Sequence, residues 1–239
     1  MLSYLNDTKL KEDFVKEIIK HREEDQIIKG TYGEGENGNW KGCAVGCSLR
    51  SLAIIKGETL VTEYNQHQRY ETDLGIPEWL ARLEDTIFEG LPVEEAKKWP
   101  EQFAQAIPVG VDLNPIKWKF CSYILKENID RVLSLTIDEE LKEQVVKSIR
   151  QVLAVHEKAI TTGVWDEEAA WSAAWSAARS AAWSARSAAW SAARSAAWSA
   201  TWSAESAAES AAESAESAAE SAAYQRYAKY LIELLTNTK

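Results

Sequence analysis

Residues 171–223 read WSAAWSAARSAAWSARSAAWSAARSAAWSATWSAESAAESAAESAESAAESAA, and this repeat decides the fold of the C-terminal part of the chain. One position recurs every three or four residues between 171 and 220, and it holds only Trp, Arg or Glu. The thirteen steps average close to 3.8 residues, near the helical period of about 3.6. The large side chains therefore form one slowly drifting stripe between rows of Ser and Ala. The repeat predicts a very long helix.

The composition divides the chain into two parts. Every Gly and every Pro lies within residues 1–165, whereas residues 166–239 contain neither. Because Gly and Pro interrupt helices, the first part should contain turns and loops and the second should not. We expect an all-α protein with at most one minor pair of short strands. An irregular helical body over 1–165 would carry the Ala-rich helix of 166–239, which would serve for packing or oligomerisation.

The charge of the chain excludes one class of partner. Residues 1–165 hold 21 Lys and Arg against 28 Asp and Glu, and residues 166–239 hold 6 against 9. Neither part is basic, so we expect no general binding of nucleic acid through its phosphate backbone. A small anionic ligand held by a few placed groups is compatible with this charge.

The cysteines, the N-terminal sequence and the Ala-rich tail indicate in which cellular compartment the protein resides. Cys43, Cys47 and Cys121 form an odd set without a disulfide framework, which suits a reducing environment. The N-terminal sequence MLSYLNDTKL becomes polar within six residues, unlike a secretory signal. Arg or Glu interrupts the Ala-rich tail too often for a membrane span. We expect a cytoplasmic protein that does not bind membranes.

The sequence of the first part of the body, up to about residue 55, predicts two helices joined by a loop. Apolar residues recur at four-residue spacing from Leu10 to Ile18 and indicate a helix over about 8–28. Gly is too dense in 30–42 for a regular element, so this segment should be a loop. An apolar run then predicts a second helix over about 42–55.

The rest of the body predicts further helices with distinct ends. The segment 61–64 (VTEY) has the composition of a short strand or an extended link. Pro77 suits the first turn of a helix. Thr136 and Glu139 form a capping-box pattern before another helix, which Gly163 should end.

Several segments within residues 17–115 carry a resemblance: HREEDQIIKGTY, GCAVGC, HQRYETDLGIPEWLARLEDTIFEGLP and WPEQFAQAIPVGVDL. With them the chain resembles an uncharacterised family of phage and prophage proteins, whose members also end in long Ala-rich helices. The resemblance implies a viral or prophage origin and a bacterial host cell, and it implies no specific activity. Members of the family often have His where this chain has Arg50, so no role of such a His carries over.

The GCAVGC segment (residues 42–47) is the most specific motif of the body. Its glycines allow another group to come close, and a helix N-terminus lowers the pKa of a Cys thiol. With His67 as base and Glu71 or Asp25 to orient it, either thiol would form a Cys–His nucleophilic centre. The favoured alternative is that small residues allow tight packing and both thiols are buried. In an enzyme the catalytic residues would be Cys43, Cys47, His67 and Glu71.

A second interpretation places a small nucleotide-like ligand beside this segment. The region supplies aromatic faces, Arg side chains and backbone N–H groups, which such a pocket uses. The alternative is a set of satisfied surface groups around a core helix. The ligand-binding residues would be His21, Arg22, Asp25, Tyr32, Trp40, Gly42, Cys43, Gly46, Cys47, His67, Arg69 and Tyr70.

We expect neither a metal nor a cofactor. Cys43, Cys47 and His67 would supply three zinc ligands, and a fourth would have to come from His21 or a carboxylate. The segment GEGENG at 33–38 matches GxGxxG, but no strand before it and no helix directly after it are evident. It is more typical of a flexible loop.

The tail predicts assembly with a second copy of the chain. A helix over 166–235 would be about 105 Å long, so it would project from the body and meet a partner. Arg179, Arg186 and Arg194 lie in its first half, and the glutamates of the stripe lie between 205 and 220. Antiparallel pairing would place Arg opposite Glu. We therefore expect an antiparallel homodimer or a higher oligomer, packed as a coiled coil through its Ala faces.

These patterns favour a non-catalytic binding protein from a phage. Its pocket near GCAVGC would hold a nucleotide-like ligand, and by analogy it would sequester an immune signal of the host as an anti-defence protein. One alternative is a Cys–His enzyme that acts on a similar small substrate. The other is a purely structural module that binds protein through the Ala/Trp helix.

Overall fold

The computed structural model describes residues 1–35, 39–58, 66–136, 138–166, 169 and 202–239, and within 202–218 it describes the backbone. The regular elements in these ranges are helices. These ranges contain no strand. Their extended backbone pairings are two isolated β-bridges, Ile27–Gly42 and Glu34–Lys41. The predicted all-α class is confirmed, and the segment predicted as a short strand or link, 61–64, lies outside the described residues.

The helices follow one another with short links. A 3-10 turn at Ser3–Asn6 comes first. The α-helices are α1 (Thr8–Glu23), α2 (Ala44–Lys56), α3 (Gln68–Leu74), α4 (Glu78–Gly90), α5 (Val93–Ala96), α6 (Trp99–Ala106), α7 (Ile116–Ser134), α8 (Glu139–Thr162) and α9 (Trp202–Thr236).

The chain forms two compact units. Unit 1 consists of Met1–Ile116 together with Glu216–Lys239, and unit 2 consists of Lys117–Ala215. In unit 1, α1 packs against α2 and α6, and α4 packs against α2, α3 and α6. Its core contains large side chains from each of these helices, among them Phe14, Ile18, Leu49, Leu52, Tyr70, Leu80, Ile87, Phe88, Trp99 and Phe103. The predicted body–tail boundary at 165/166 falls within unit 2 and stays a prediction.

Helix α1 is shorter than its apolar pattern predicts. The Asp7 side chain accepts hydrogen bonds from the Lys9 and Leu10 N–H groups at 2.8 and 3.2 Å, which caps the first turn. The helix ends at Glu23, and Asp25 adopts a left-handed backbone with φ of 52°. That conformation reverses the chain, so the residues up to 28 form a link and not the predicted last helical turn.

The start of α4 and the end of α8 lie where Pro77 and Gly163 predict them, whereas the start of α8 differs from its predicted capping box. Helix α4 follows Pro77, and Gly163 caps the end of α8 with φ of 69°. The cap at the start of α8 is Asp138, whose side chain accepts the Leu141 N–H at 3.0 Å. The predicted capping box of Thr136 and Glu139 is therefore wrong, because the helix begins two residues later than that box requires.

In unit 2, α7 and α8 share one apolar cluster. Ile129 of α7 packs with Val146 and Leu153 of α8, and Leu125, Val132 and Ile149 cover them. The spacing of these residues along α8 gives the helix an apolar face.

The last part of α9 belongs to unit 1. Leu231 and Leu235 are fully buried, and a side chain at Gly90 would collide with the Tyr224 ring. The Gln225 amide donates to the Glu95 carboxylate at 2.5 Å. The predicted helix is confirmed from Trp202 to Thr236, and most of the Trp and Arg positions of its stripe lie outside the described residues.

Candidate functional site

The GCAVGC segment forms the link into α2 and the first turn of that helix. Cys43 is the N-cap residue, and its sulfur accepts the Gly46 N–H at 3.5 Å. The Cys47 thiol donates to the Gly42 carbonyl at 3.5 Å. Both sulfur atoms therefore bond to the backbone of their own turn, where Cys43 takes the place that Ser or Asp usually has as a cap.

The two glycines of this segment are required by packing. A Cβ at Gly46 would lie 1.7 Å from the Tyr32 carbonyl oxygen, and a Cβ at Gly42 would lie 2.8 Å from the same atom. The Cys43 N–H donates to the Thr31 carbonyl at 2.7 Å. The loop of residues 31–33 thus lies directly on the start of α2, and the close approach is between parts of the chain itself.

Both thiols of the segment are buried. Cys43 is 2% exposed and Cys47 is fully buried. Burial raises the pKa of Cys43 to about 12, although N–H bonds from Gly46 and Val45 oppose the shift. Burial also raises the pKa of Cys47 well above its ordinary value. Since the thiolate is the nucleophile, the helix N-terminus does not activate these cysteines.

His67 is paired with a carboxylate that the sequence did not indicate. Its Nε2 lies 3.4 Å from Oδ2 of Asp85, on α4, and the Tyr32 hydroxyl lies 3.4 Å from the same oxygen. The Tyr32 and His67 rings meet edge to face at 6.0 Å between centroids. Within the described residues, neither Cys43 nor Cys47 forms a hydrogen bond with His67.

The two carboxylates predicted to orient His67 have other partners. The Glu71 side chain accepts the Glu78 N–H at 3.2 Å, at the start of α4. Asp25 forms exposed ion pairs with Lys97 and Lys41 at 2.9 and 3.4 Å. The structure therefore gives the orienting role to Asp85 and not to Glu71 or Asp25.

Arg69 and Tyr70 are adjacent in sequence and lie in different environments. Arg69 pairs with Asp73 and Glu58 at 2.8 and 2.7 Å near the surface. Tyr70 is fully buried near Ser48 and Glu84, and burial raises its pKa. Glu84 is itself 1% exposed, and burial raises its pKa to about 8. Cys43, Cys47, Tyr70 and Glu84 are called the thiol cluster below, because they form one buried polar group in the core.

A second polar group also adjoins the GCAVGC segment. Trp40 packs on Gly42, and its ring centroid lies 5.6 Å from that of His21. The Arg50 guanidinium carbon lies 4.6 Å from the Trp40 ring centroid. His21, Gln26, Trp40 and Arg50 are called the indole cluster below.

The indole cluster contains two buried polar atoms without a partner. Within the described residues, no hydrogen bond reaches Nε2 of His21 or Nε1 of Trp40, although the two side chains are 2% and 4% exposed. A buried polar atom left unpaired costs about 1–3 kcal/mol, so such atoms are uncommon in folded proteins. The thiol cluster also contains such atoms, the Tyr70 hydroxyl and Oε2 of Glu84, so the indole cluster differs from it by the half-buried, cationic Arg50.

Of the remaining predicted residues, Arg22 lies outside both clusters. Its guanidinium pairs with Glu101 at 3.0 Å. No pattern of the sequence indicates Gln26, Glu84 or Asp85, because their roles depend on which helices pack together.

The grooves on the surface of unit 1 include the following two. One has a volume of about 870 Å³ and follows the outer face of α1 around Val15 and Ile19. The other, about 630 Å³, lies beside Asp85, Glu89, Glu220 and Tyr224. The second groove is acidic, which suits an anionic ligand poorly.

No set of three or more His, Cys, Asp or Glu residues in the described ranges has the arrangement of a metal site. Each helix within the same ranges is too short or too polar to cross a membrane. In comparisons with known proteins, no family model, no curated protein and no solved structure matched the chain.

Proposed function

We propose that this chain is a non-catalytic binding protein that holds a small nucleotide-like ligand at the indole cluster, beside the GCAVGC segment. One observation carries the proposal: an aromatic ring, an imidazole and a guanidinium lie together and leave two buried polar atoms without a partner among the described residues. Trp40, which is 4% exposed, supplies an aromatic ring on which the Arg50 guanidinium lies, and Arg50 supplies charge. Nucleotide pockets combine such groups.

The state of the thiols supports the non-catalytic part of the proposal. A Cys–His nucleophile needs a thiolate and a hydrogen bond between sulfur and base. Burial raises the pKa of Cys43 to about 12, and the partners of both thiols are backbone atoms and not His67. The Cys–His enzyme is therefore the weaker alternative.

Origin, compartment and partner enter the proposal from the sequence. The resemblance to phage and prophage proteins suggests that the chain acts in the cytoplasm of a bacterial host, where it would sequester a nucleotide signal of host defence. The charge order of the tail supports an antiparallel homodimer. Sedimentation at micromolar concentration tests this assembly: a dimer agrees with the proposal and a monomer contradicts it.

The function itself is tested by binding and by recovery of the ligand. The full chain is mixed with a panel of linear and cyclic nucleotides, and its melting temperature is measured. We expect at least one nucleotide to raise the melting temperature, and chromatography should return that nucleotide unchanged. Conversion of the nucleotide that stops in Cys43→Ala would instead establish the enzyme alternative. A panel without any effect would contradict the proposal and favour the structural module.

A further inference from the structure

Arg50 differs from the other arginines of residues 1–116. Arg22, Arg69 and Arg82 each have a carboxylate oxygen within 3.0 Å. Arg50 has none within the part of the chain that the structure describes, and its contact there is the face of the Trp40 ring. The side chain is half-buried, and a guanidinium stacked on an indole keeps its N–H groups in the ring plane free for an anion.

The protonation of His21 follows from a short chain of hydrogen bonds. The Gln26 amide nitrogen donates to Glu24 at 2.7 Å, so the amide oxygen faces His21. That oxygen lies 2.5 Å from Nδ1 of His21, which must therefore carry the proton. Burial lowers the pKa of His21, and the nearby Arg50 charge adds to the effect although the Gln26 bond opposes it. A neutral His21 then has an unprotonated Nε2 that accepts a hydrogen bond.

Trp40 supplies a donor next to this acceptor. Its indole N–H is buried and has no partner in the described ranges. The nearest position along the loop is Gly33, where a Cβ would lie 2.8 Å from the indole nitrogen. Gly33 therefore packs directly on the edge of the indole ring, and a side chain at this position would collide with it.

These groups together define what the cluster can bind. Arg50 and the Trp40 N–H donate, and Nε2 of His21 accepts. This set is complementary to a molecule that carries a negatively charged group and a hydroxyl group close to each other. Bidentate bonds from a guanidinium are well suited to phosphate and carboxylate oxygens.

We propose that Arg50 binds the phosphate of a nucleoside monophosphate or a similar phosphate monoester, while Nε2 of His21 accepts a hydrogen bond from a hydroxyl of the same molecule. The inference rests on the proposed function and names the chemistry of its site. Arg50 was not among the ligand-binding residues expected from the sequence. It supplies the one positive charge of the indole cluster.

The test is calorimetric titration of the full chain with AMP, adenosine, inorganic phosphate and acetate. We expect AMP to bind at least tenfold more tightly than adenosine, and Arg50→Gln to weaken AMP binding to the level of adenosine. Arg150→Gln, which removes an exposed arginine of unit 2, is the matched control and should bind AMP as the wild type does. AMP binding by Arg50→Gln at wild-type affinity would overturn the inference, and so would acetate binding as tight as phosphate binding.

A second variant covers the case in which Arg50→Gln does not fold. Arg50→Lys keeps the charge and the helix propensity, but an ammonium group cannot bond two phosphate oxygens in the plane of a fork. It should bind AMP several-fold more weakly than the wild type. Folding is checked by circular dichroism, and wild-type affinity in a folded Arg50→Lys protein would overturn the inference.

The outcomes separate this inference from the proposed function. Equal AMP binding by the wild type and Arg50→Gln would support nucleotide binding and overturn the phosphate site. If inorganic phosphate binds in an Arg50-dependent way and AMP binds no more tightly than phosphate does, the phosphate site would be supported and nucleotide binding would be contradicted. A wild-type chain that binds none of the four probes would overturn both.

Discussion

The thiol cluster and the indole cluster both adjoin the GCAVGC segment and differ in their chemistry: the first is a buried set of acidic groups, and the second includes the half-buried, cationic Arg50. The sulfur atoms of Cys43 and Cys47 bond to the backbone of their own turn, and the segment's glycines fit against the Tyr32 carbonyl. The indole cluster leaves Nε2 of His21 and Nε1 of Trp40 unpaired in the described ranges. The most distinctive motif of the sequence therefore builds the fold, and the binding chemistry that we propose lies beside it.

The largest expected effect on stability is that of a substitution at Gly46. It tests whether the GCAVGC segment serves to pack the start of α2 against the loop. Ala is intrinsically better than Gly in a helix by about 1 kcal/mol, so a free position would gain stability in Gly46→Ala. The contact with Tyr32 predicts the opposite, a loss of about 3 kcal/mol in the free energy of unfolding. Urea denaturation measures it.

A control in the same helix makes this result specific. Ala53→Gly removes a buried methyl group in addition to the difference in helix propensity, and it should cost about 2 kcal/mol. An increase in stability for Gly46→Ala would contradict the packing role of the motif.

The next effect concerns Glu84 and the pH dependence of stability. Burial raises its pKa from 4.5 to about 8, so the folded state holds the proton more tightly than the unfolded state does. The contribution of this group to stability is complete below pH 4.5 and is lost as the pH rises to about 8. Glu84→Gln should remove that loss, so its stability relative to the wild type should increase by about 1 kcal/mol per pH unit in this window.

Denaturation at several pH values measures the difference. Glu78→Gln, in the same helix and more exposed, is the control and should leave the slope nearly unchanged. Parallel pH profiles of the wild type and Glu84→Gln would contradict a buried, protonated carboxyl in the thiol cluster.

The third effect is on thiol reactivity. With a pKa raised to about 12, Cys43 should react with iodoacetamide at least about a hundredfold more slowly in the native chain than in urea, and Cys47 should behave likewise. Mass spectrometry of the labelled peptides at pH 8 gives the three rates separately. Cys121 is only half-buried and serves as the internal control, with a faster native rate. If Cys43 reacts with iodoacetamide faster in the native chain than in the unfolded chain, the Cys–His nucleophile would again be favoured.

The smallest effect is expected at Asp25, which lies outside both clusters. Its ion pairs with Lys41 and Lys97 are exposed, and such pairs contribute little. Its left-handed backbone also favours Gly. Asp25→Gly should therefore leave AMP binding and the unfolding midpoint within the scatter of repeated measurements. A clear loss of binding would extend the site to Asp25 and break the proposed division between the clusters.

The helices could be predicted from the sequence because local patterns determine them. The Leu10–Ile18 spacing, Pro77 and Gly163 mark helices that the structure contains. The end of α1 could not be predicted, because the apolar residues beyond Glu23 look like a further turn. Ile27 instead pairs with Gly42 in an extended link.

The candidate site could be predicted only in part, because its partners come from distant helices. Trp40 and His21 were expected near the GCAVGC segment and do lie beside it. The pairing of His67 with Asp85 and the stacking of Arg50 on Trp40 depend on how α2, α3 and α4 pack, which no local spacing encodes. Adjacent residues such as Arg69 and Tyr70 were grouped together although they lie in different environments.

The most direct test of the division between the clusters is the indole N–H signal of Trp40 during a titration with AMP. Trp40→Phe assigns this signal in a ¹⁵N-labelled sample, since the variant lacks it. Our account predicts that the Trp40 signal shifts in proportion to bound AMP, and that Cys43→Ser leaves both the shift and the affinity unchanged. AMP binding that leaves the Trp40 signal in place, or that is lost in a folded Cys43→Ser protein, would contradict it.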